Sequence, residues 1–308
     1  MSRGDLPFRY AHSGLQIASA IELEAWEAFR TPARGAPDVA IVISDEPCPD
    51  WPSDGTTVVE GDSARFVIDG VGGWDMQGGR RIVLHPSLSA DPRELQLFTL
   101  GSAWGLLGYQ RGHAMWHGSA VSNGAGLAML FCGTAGEGKS TMAAAMLDAG
   151  ATLIADDLSR VELRDGWPSI HPSSSRIKLW NEAIGQLGWQ ERIVERDWMR
   201  EDKFHCAVPR HAAGEGPRPL GAIVVLASGE REECVFEQLR GSEALTQVLA
   251  STVYRPEALD AMDRWTEQGA LAARILGQVP VYRLTRPRNL ASLREGALQA
   301  ADLLDTLG

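Results

Sequence analysis

The segment from Gly126 to Asp157 constrains this chain more than any other. An almost wholly apolar run, Gly126–Cys132, leads into Gly133-Thr134-Ala135-Gly136-Glu137-Gly138-Lys139-Ser140. Lys139–Ala149 then has helical composition and stops at Gly150, and a second apolar run, Ala151–Ala155, ends on Asp156-Asp157. Short apolar runs bounded by glycine read as buried strands, and the stretch between them as a helix with a glycine stop. Strand, glycine loop, helix and strand in that order predict an α/β core. The loop also fits the pattern Gly, four free positions, Gly-Lys-Ser/Thr, and the residue types have physical reasons. Glycines let successive backbone N–H groups turn inward around phosphate oxygens, and the helix adds unpaired N–H groups and the positive end of its dipole. In such a loop Lys139 bridges the β- and γ-phosphates of a nucleotide, and the Ser140 hydroxyl binds Mg²⁺. With 33 glycines in 308 residues a chance match must be weighed. The placement after a strand and before a helix, on one of very few lysines, favours the nucleotide site.

Asp156-Asp157 lie at a strand end, where ligands of open α/β sheets collect. One of two adjacent carboxylates can help hold Mg²⁺ while the other takes a proton from an attacking hydroxyl. Asp-Asp is also an ordinary strand-to-turn signal, and the neighbouring loop tips the balance toward chemistry. His117, in Trp116-His117-Gly118, is taken alone as well read as a structural histidine.

Composition removes several classes. With 44% hydrophobic and 22% charged residues the chain is no disordered polyelectrolyte. Twenty-nine basic against 40 acidic residues, a net charge of −11, argue against a nucleic-acid or anionic-membrane surface. The ten tryptophans show no alternation with basic residues, so no nucleic-acid partner is expected. Among the basic residues only Lys139, Lys178 and Lys203 are lysine; 26 are arginine. Cys48, Cys132, Cys206 and Cys234 are too scattered for a zinc site or a disulfide framework and suit a reducing compartment. The N-terminus lacks a signal-peptide run, and the longest apolar stretch, near Leu95–Tyr109, is shorter than the roughly 20 residues a membrane helix needs. A soluble, cytoplasmic protein without a membrane partner is expected.

Short runs at Val39–Ser44, Thr57–Glu60, Arg65–Asp69 and Arg81–His85 predict a small sheet within residues 1–90. Asp91-Pro92-Arg93-Glu94 is a helix start, with Asp as cap, and the helix runs to about Arg111. Ala114–Val121 is expected as one strand, followed by a hairpin turn at Asn123-Gly124. Farther on, Leu220–Ala227 and Val279–Leu284 read as strands, and Ser242–Ala250, Pro256–Leu276 and Leu290–Leu307 as helices. The division expected is a β-rich domain with its connecting helix, 1–112, and a core, 113–308.

The span from His117-Gly118 through the hairpin, Gly133–Ser140 and Leu153-Ile-Ala-Asp-Asp157 resembles the catalytic core of the HPr kinase/phosphorylase family, bacterial serine kinases. The likeness covers Trp116 to Arg160. It implies an α/β, P-loop HPr kinase-like (PEP carboxykinase-like) core behind an N-terminal β-rich domain. By the resemblance ATP and Mg²⁺ are the cofactors, and Gly133, Thr134, Ala135, Gly136, Glu137, Gly138, Lys139, Ser140 and Thr141 hold the nucleotide. Asp157 is implied as the general base for a serine hydroxyl, Asp156 as its metal-holding neighbour and His117 as an active-site partner. Glu182 stands at the spacing of the family's Mg²⁺-binding glutamate, without its surrounding signature. The arginine segment tied to phosphorolysis has no counterpart, so the reverse reaction is not implied.

Gln110-Arg-Gly-His113, Arg176-Ile-Lys-Leu-Trp180 and Pro280-Val-Tyr-Arg-Leu284 are similar to a divergent branch, the HPr-kinase-like proteins of natural-product clusters, including lasso-peptide tailoring kinases. That branch implies a ribosomally made precursor peptide with an acceptor serine as partner, and a homo-oligomer. Between Arg176 and Arg218 eight basic residues face seven acidic ones, a balance that also fits a solvated surface. Arg176 and Lys203 are the candidates there for gripping an acceptor carboxylate or phosphoryl charge. A regulatory kinase acting on a folded carrier, a small-molecule kinase and a nucleotide-dependent scaffold are the competing readings.

Overall fold

Gly/Pro-punctuated strands open the chain. The computed structural model describes residues 6–48, 50–52, 54–230 and 232–307. β1 (Phe8–His12), β2 (Leu15–Ser19), β3 (Val39–Ile43), β4 (Val58–Glu60), β5 (Ser63–Ile68), β6 (Gly72–Gln77) and β7 (Arg81–Pro86) form one sheet in the order β1-β2-β3-β7-β6-β5-β4. β6 escaped the sequence reading because it opens on two glycines and carries Asp75 among its apolar residues. The Asp91 carboxylate accepts from the Arg93 amide at 2.8 Å and caps α1 (Pro92–Phe98). A π turn, Thr99–Ala103, carries the helix into α2 (Trp104–Gln110).

The expected single strand Ala114–Val121 is two: β8 (Ala114–His117) and β9 (Ser119–Ser122), parted at Gly118. A Cβ on Gly118 would lie 2.7 Å from both Leu130 Cδ1 and the Phe131 carbonyl oxygen, so only glycine passes this close to the neighbouring strand. β9 pairs antiparallel with β10 (Ala128–Cys132). The connection is Asn123–Leu127 rather than a two-residue turn, closed by the Asn123 side chain accepting from the Leu127 amide at 3.0 Å. α3 (Lys139–Asp148) follows the glycine loop and β11 (Thr152–Ala155) follows Gly150.

Then come β12 (Leu158–Arg164), β13 (Trp167–Ile170), β14 (Arg176–Trp180), α4 (Asn181–Leu187), β15 (Ile193–Arg196), β16 (Lys203–Ala207), β17 (Arg218–Gly229), β18 (Val235–Leu239) and α5 (Gly241–Thr252). The helix expected over Pro256–Leu276 is broken into α6 (Pro256–Ala261) and α7 (Trp265–Leu276), with Asp263 in the left-handed region at φ 52°. β19 (Val281–Pro287) and α8 (Leu293–Thr306) close the chain.

Two compact units result, a mixed α/β architecture. One holds the described residues up to Met115 with Tyr254–Gln268; the other holds Trp116–Val253 with Gly269 onward. In the second, the main sheet runs β11-β9-β10-β17-β13-β12-β8, with β19 beside β17 and β18 beside β19. β9 is antiparallel to both β10 and β11, so those two run the same way; β17 and β19 run parallel with β10. Four strands therefore end on one edge, which gathers the glycine loop, Asp156-Asp157, Ser228 and Arg286. α3 is buried nearly all round through Met142, Ala143, Ala144, Ala145, Met146 and Leu147, as an all-apolar helix requires. A separate three-stranded sheet has the order β14-β16-β15. Among the described residues no helix is long and apolar enough to cross a membrane.

Candidate active site

The loop Gly133–Gly138 connects the end of β10 to α3. Gly138 adopts φ 81° at the helix start, a conformation costly for any residue with a Cβ. Lys139 is 9% exposed, and its Nζ donates to the carbonyls of Gly133 at 2.9 Å and Thr134 at 3.2 Å. Burial lowers the pKa of this ammonium, against the opposing pull of Cys132, Asp157 and Asp156. Thr141, one residue past Ser140, is buried within α3.

Asp156 is the hub. At 8% exposure its Oδ1 accepts from Ser119 Oγ at 2.6 Å and Ser140 Oγ at 2.8 Å, and its Oδ2 from the Lys178 amide at 2.9 Å. Its own amide donates to Ser174 Oγ at 2.9 Å. The sequence order thus brings the hydroxyl closing the loop onto the carboxylate closing β11. Hydroxyl and carboxylate oxygens suit a hard cation such as Mg²⁺, which keeps several waters and takes few protein ligands. Ser140 and Asp156 fit that role. Glu182 does not join them: it lies exposed in the first turn of α4 with no hydrogen bond or ion pair to either. No cluster of three His, Cys, Asp or Glu able to hold a metal occurs among the described residues.

Asp157 takes the left-handed conformation, φ 76°. The kink turns its carbonyl toward Gly118, whose amide donates to it at 3.2 Å, and toward His117. His117 Nδ1 lies 2.9 Å from that carbonyl oxygen and 3.3 Å from Asp157 Oδ1. Both are acceptors, which assigns the proton to Nδ1. The Asp157 side chain is 48% exposed; the desolvation it suffers raises the carboxyl pKa, but the His117 hydrogen bond and the charges of Lys178, His117 and Lys203 outweigh it and hold the group well below the usual carboxylate range. Asp157 is ionised at neutral pH.

Lys178 Nζ lies 3.6 Å from Asp157 Oδ2. Lys203, on β16, is paired across the ladder with Trp180 and lies 5.6 Å over its ring. Burial lowers the Lys203 pKa, Asp156 and Asp157 raise it, and Lys178 and Arg200 lower it further. All three lysines of the chain therefore act on the aspartate pair. Arg176 stands differently: its Nη1 donates to Glu195 at 3.0 Å on the exposed sheet face, and it makes no ion pair with either aspartate.

Sequence reasoning missed Ser119 and Ser174, common residues without a motif, and Arg286, which reaches the loop from β19. Arg286 Nη2 donates to the Glu137 carbonyl at 3.0 Å, and Ser228 Oγ donates to Glu137 Oε2 at 2.5 Å.

No family model matches the chain, and no curated protein matches it. Among solved structures, the HPr(Ser) kinase/phosphatase from Coxiella burnetii is similar to it at 13% identity and a TM-score of 0.33, over 63% of this chain and 99% of that one. A likeness this loose does not define a fold.

Proposed function

We propose that the chain is an ATP- and Mg²⁺-dependent serine kinase, with an HPr kinase-like P-loop core in the unit of Trp116–Val253 and Gly269 onward, and a β-rich domain in the unit up to Met115, to which Tyr254–Gln268 belongs rather than to the core expected over 113–308. The observation that carries this is the meeting of Ser140 Oγ and Asp156 Oδ1 at 2.8 Å, with ionised Asp157 beside them. A phosphate-loop hydroxyl against a strand-end carboxylate is the pair that holds Mg²⁺ in P-loop phosphotransferases. When bound, the metal supplies charge neutralisation for the phosphates. Loop amides and Lys139 bind the phosphates, while Asp157, oriented by His117 Nδ1–H, accepts the proton of the attacking hydroxyl. Lys178 and Lys203 offset charge developing on the transferred phosphoryl group.

The acceptor is a peptide serine, in a ribosomally made precursor of the lasso type. Support comes from the three-stranded sheet whose strand β14 donates the Lys178 amide to Asp156: Trp180, Ile193 and Val194 on its strands and Trp198 and Met199 in the β15–β16 connection are each exposed, and Lys203 and Arg176 lie on the same sheet. An extended peptide suits such an edge, because β15 is a sheet edge with every residue exposed. Cytoplasmic residence and homo-oligomer formation follow from the same reading.

Incubation with γ-labelled ATP, Mg²⁺ and serine peptides, read by mass spectrometry, tests it. The expected result is a gain of one phosphate on serine, lost in Asp157→Asn while ATP binding persists. ATP binding without transfer to any acceptor, unchanged by Asp157→Asn, defeats the kinase reading in favour of a nucleotide-dependent scaffold.

A further inference from the structure

Arg286 is 4% exposed, and its Nε and Nη1 have no hydrogen-bond partner among the described residues. Its single bond runs from Nη2 to the Glu137 carbonyl, in the loop. A guanidinium stays charged at any accessible pH, and a buried charge without a partner is costly. Such a group is retained where something else balances it.

Two further observations tie it to the loop. A Cβ on Gly138 would fall 2.7 Å from Arg286 Nη2, so glycine at that position makes room for the guanidinium as well as for the turn. Arg286 and Ser228 are register partners across the parallel β17–β19 ladder, and both grip Glu137, one by its carbonyl and the other by its carboxylate. The ends of two strands therefore clamp one residue at the crown of the loop. Lys139 meets the same loop through the Gly133 and Thr134 carbonyls, so two cations bracket it.

We propose that Arg286 is a positioning residue of the phosphate site: it clamps the loop through Glu137, and its buried charge is balanced when the loop holds a polyphosphate. The inference rests on the nucleotide reading above and adds a cation that the loop motif does not contain. It gives a chain of net charge −11 a local, permanent positive charge beneath the anion site.

The test uses full-length protein, inorganic tripolyphosphate without metal, thermal melts and calorimetry. Arg286→Met is expected to melt at or above the wild type without ligand, because an unpaired buried charge has been removed. Its affinity for tripolyphosphate should fall about 10- to 100-fold, the range of a hydrogen bond to a charged group. Its ligand-induced rise in midpoint should shrink accordingly. If Arg286→Met does not fold, Arg286→Gln, which keeps a donor for the Glu137 carbonyl but no charge, should show the same weakening. Undiminished affinity in either folded variant overturns the proposal. So does failure of both to fold without ligand, since the charge would then be holding the ligand-free fold. A wild type that binds neither tripolyphosphate nor ATP defeats the nucleotide reading itself and takes this inference with it.

Discussion

Asp156 can be changed in two ways that the structure separates. Asp156→Ala strips the acceptor from Ser119 Oγ, Ser140 Oγ and the Lys178 amide together. Ser140 is partly exposed and can turn to water, whereas Ser119 is buried. Counting the Ser119 hydroxyl and the Lys178 amide at ~1–3 kcal/mol each for a lost buried partner gives a cost of about 2–6 kcal/mol. Release of a desolvated carboxylate offsets part of this, so the lower half of the range is expected. At ~2–4 °C per kcal/mol for a unit of this size, the midpoint should fall on the order of 5–10 °C. Asp156→Asn behaves otherwise. Its amide can turn so that Oδ1 accepts from Lys178 while Nδ2 faces two hydroxyls, which accept as readily as they donate. Three charge-assisted bonds become neutral, each weaker by about 1 kcal/mol, while the desolvation cost of the charge disappears. The net should lie within about 1 kcal/mol of the wild type. On the proposed kinase reading, phosphoryl transfer should nonetheless fall by at least ~10²-fold in both variants, because neither a methyl group nor a neutral amide can replace the carboxylate that would hold Mg²⁺. Thermal melts paired with a labelled-ATP assay read both quantities. If Asp156→Asn melts as low as Asp156→Ala, or transfers phosphate at the wild-type rate, the account of Asp156 is wrong.

Gly118→Ala should destabilise by roughly 1–3 kcal/mol, since its methyl group would press on the Phe131 carbonyl and Leu130. Equilibrium denaturation showing no loss would mean that β8 and β9 part for another reason. The lowered pKa of Asp157 sets a pH window: its ionised form is favoured in the folded state, so its contribution is complete above the ordinary value of about 3.9 and is lost as pH falls through the lower folded value. The stability difference between wild type and Asp157→Asn should therefore not close between pH 7 and about 5, and should be lost only below about 4. A difference that closes between pH 5 and 7 would contradict the charge environment described for this carboxylate.

What could be read in the sequence was local. The apolar runs, the glycine loop, the Gly150 stop and Asp156-Asp157 lie within one stretch, and their spacing alone predicts the elements that carry them. The Asp91 cap was legible for the same reason. Gly118 was not, because its necessity comes from Leu130 and Phe131 on another strand. The Pro256–Leu276 pattern kept helical periodicity across Asp263, where the backbone breaks it. Glu182 matched a spacing but sits on an exposed helix turn, since the direction of a side chain depends on how α4 leaves β14. Arg286 had no motif at all. It acts through Glu137, 149 positions away in sequence, because parallel strands end on a common edge.

The division between the two basic residue types follows the same geometry. Arginines pair with glutamates at the surface, as Arg30 does with Glu22 and Glu27, Arg218 with Glu215, and Arg283 with Glu237 and Glu243. Such exposed pairs contribute little, and the planar fork suits them. The three lysines instead surround Asp156 and Asp157, where two of them are buried enough for their pKa values to fall. A compact ammonium on a flexible stem can enter a crowded site, meet a loop carbonyl or a carboxylate, and reorient when a phosphate arrives. A rigid guanidinium cannot reorient as readily, which suits it to the other task at this edge of the sheet. On the proposed reading Arg286 holds the loop through the Glu137 carbonyl, while Lys139, Lys178 and Lys203 offset charge on the phosphates. The proposed site thus separates a guanidinium bound to the loop backbone from ammonium groups gathered about the two carboxylates.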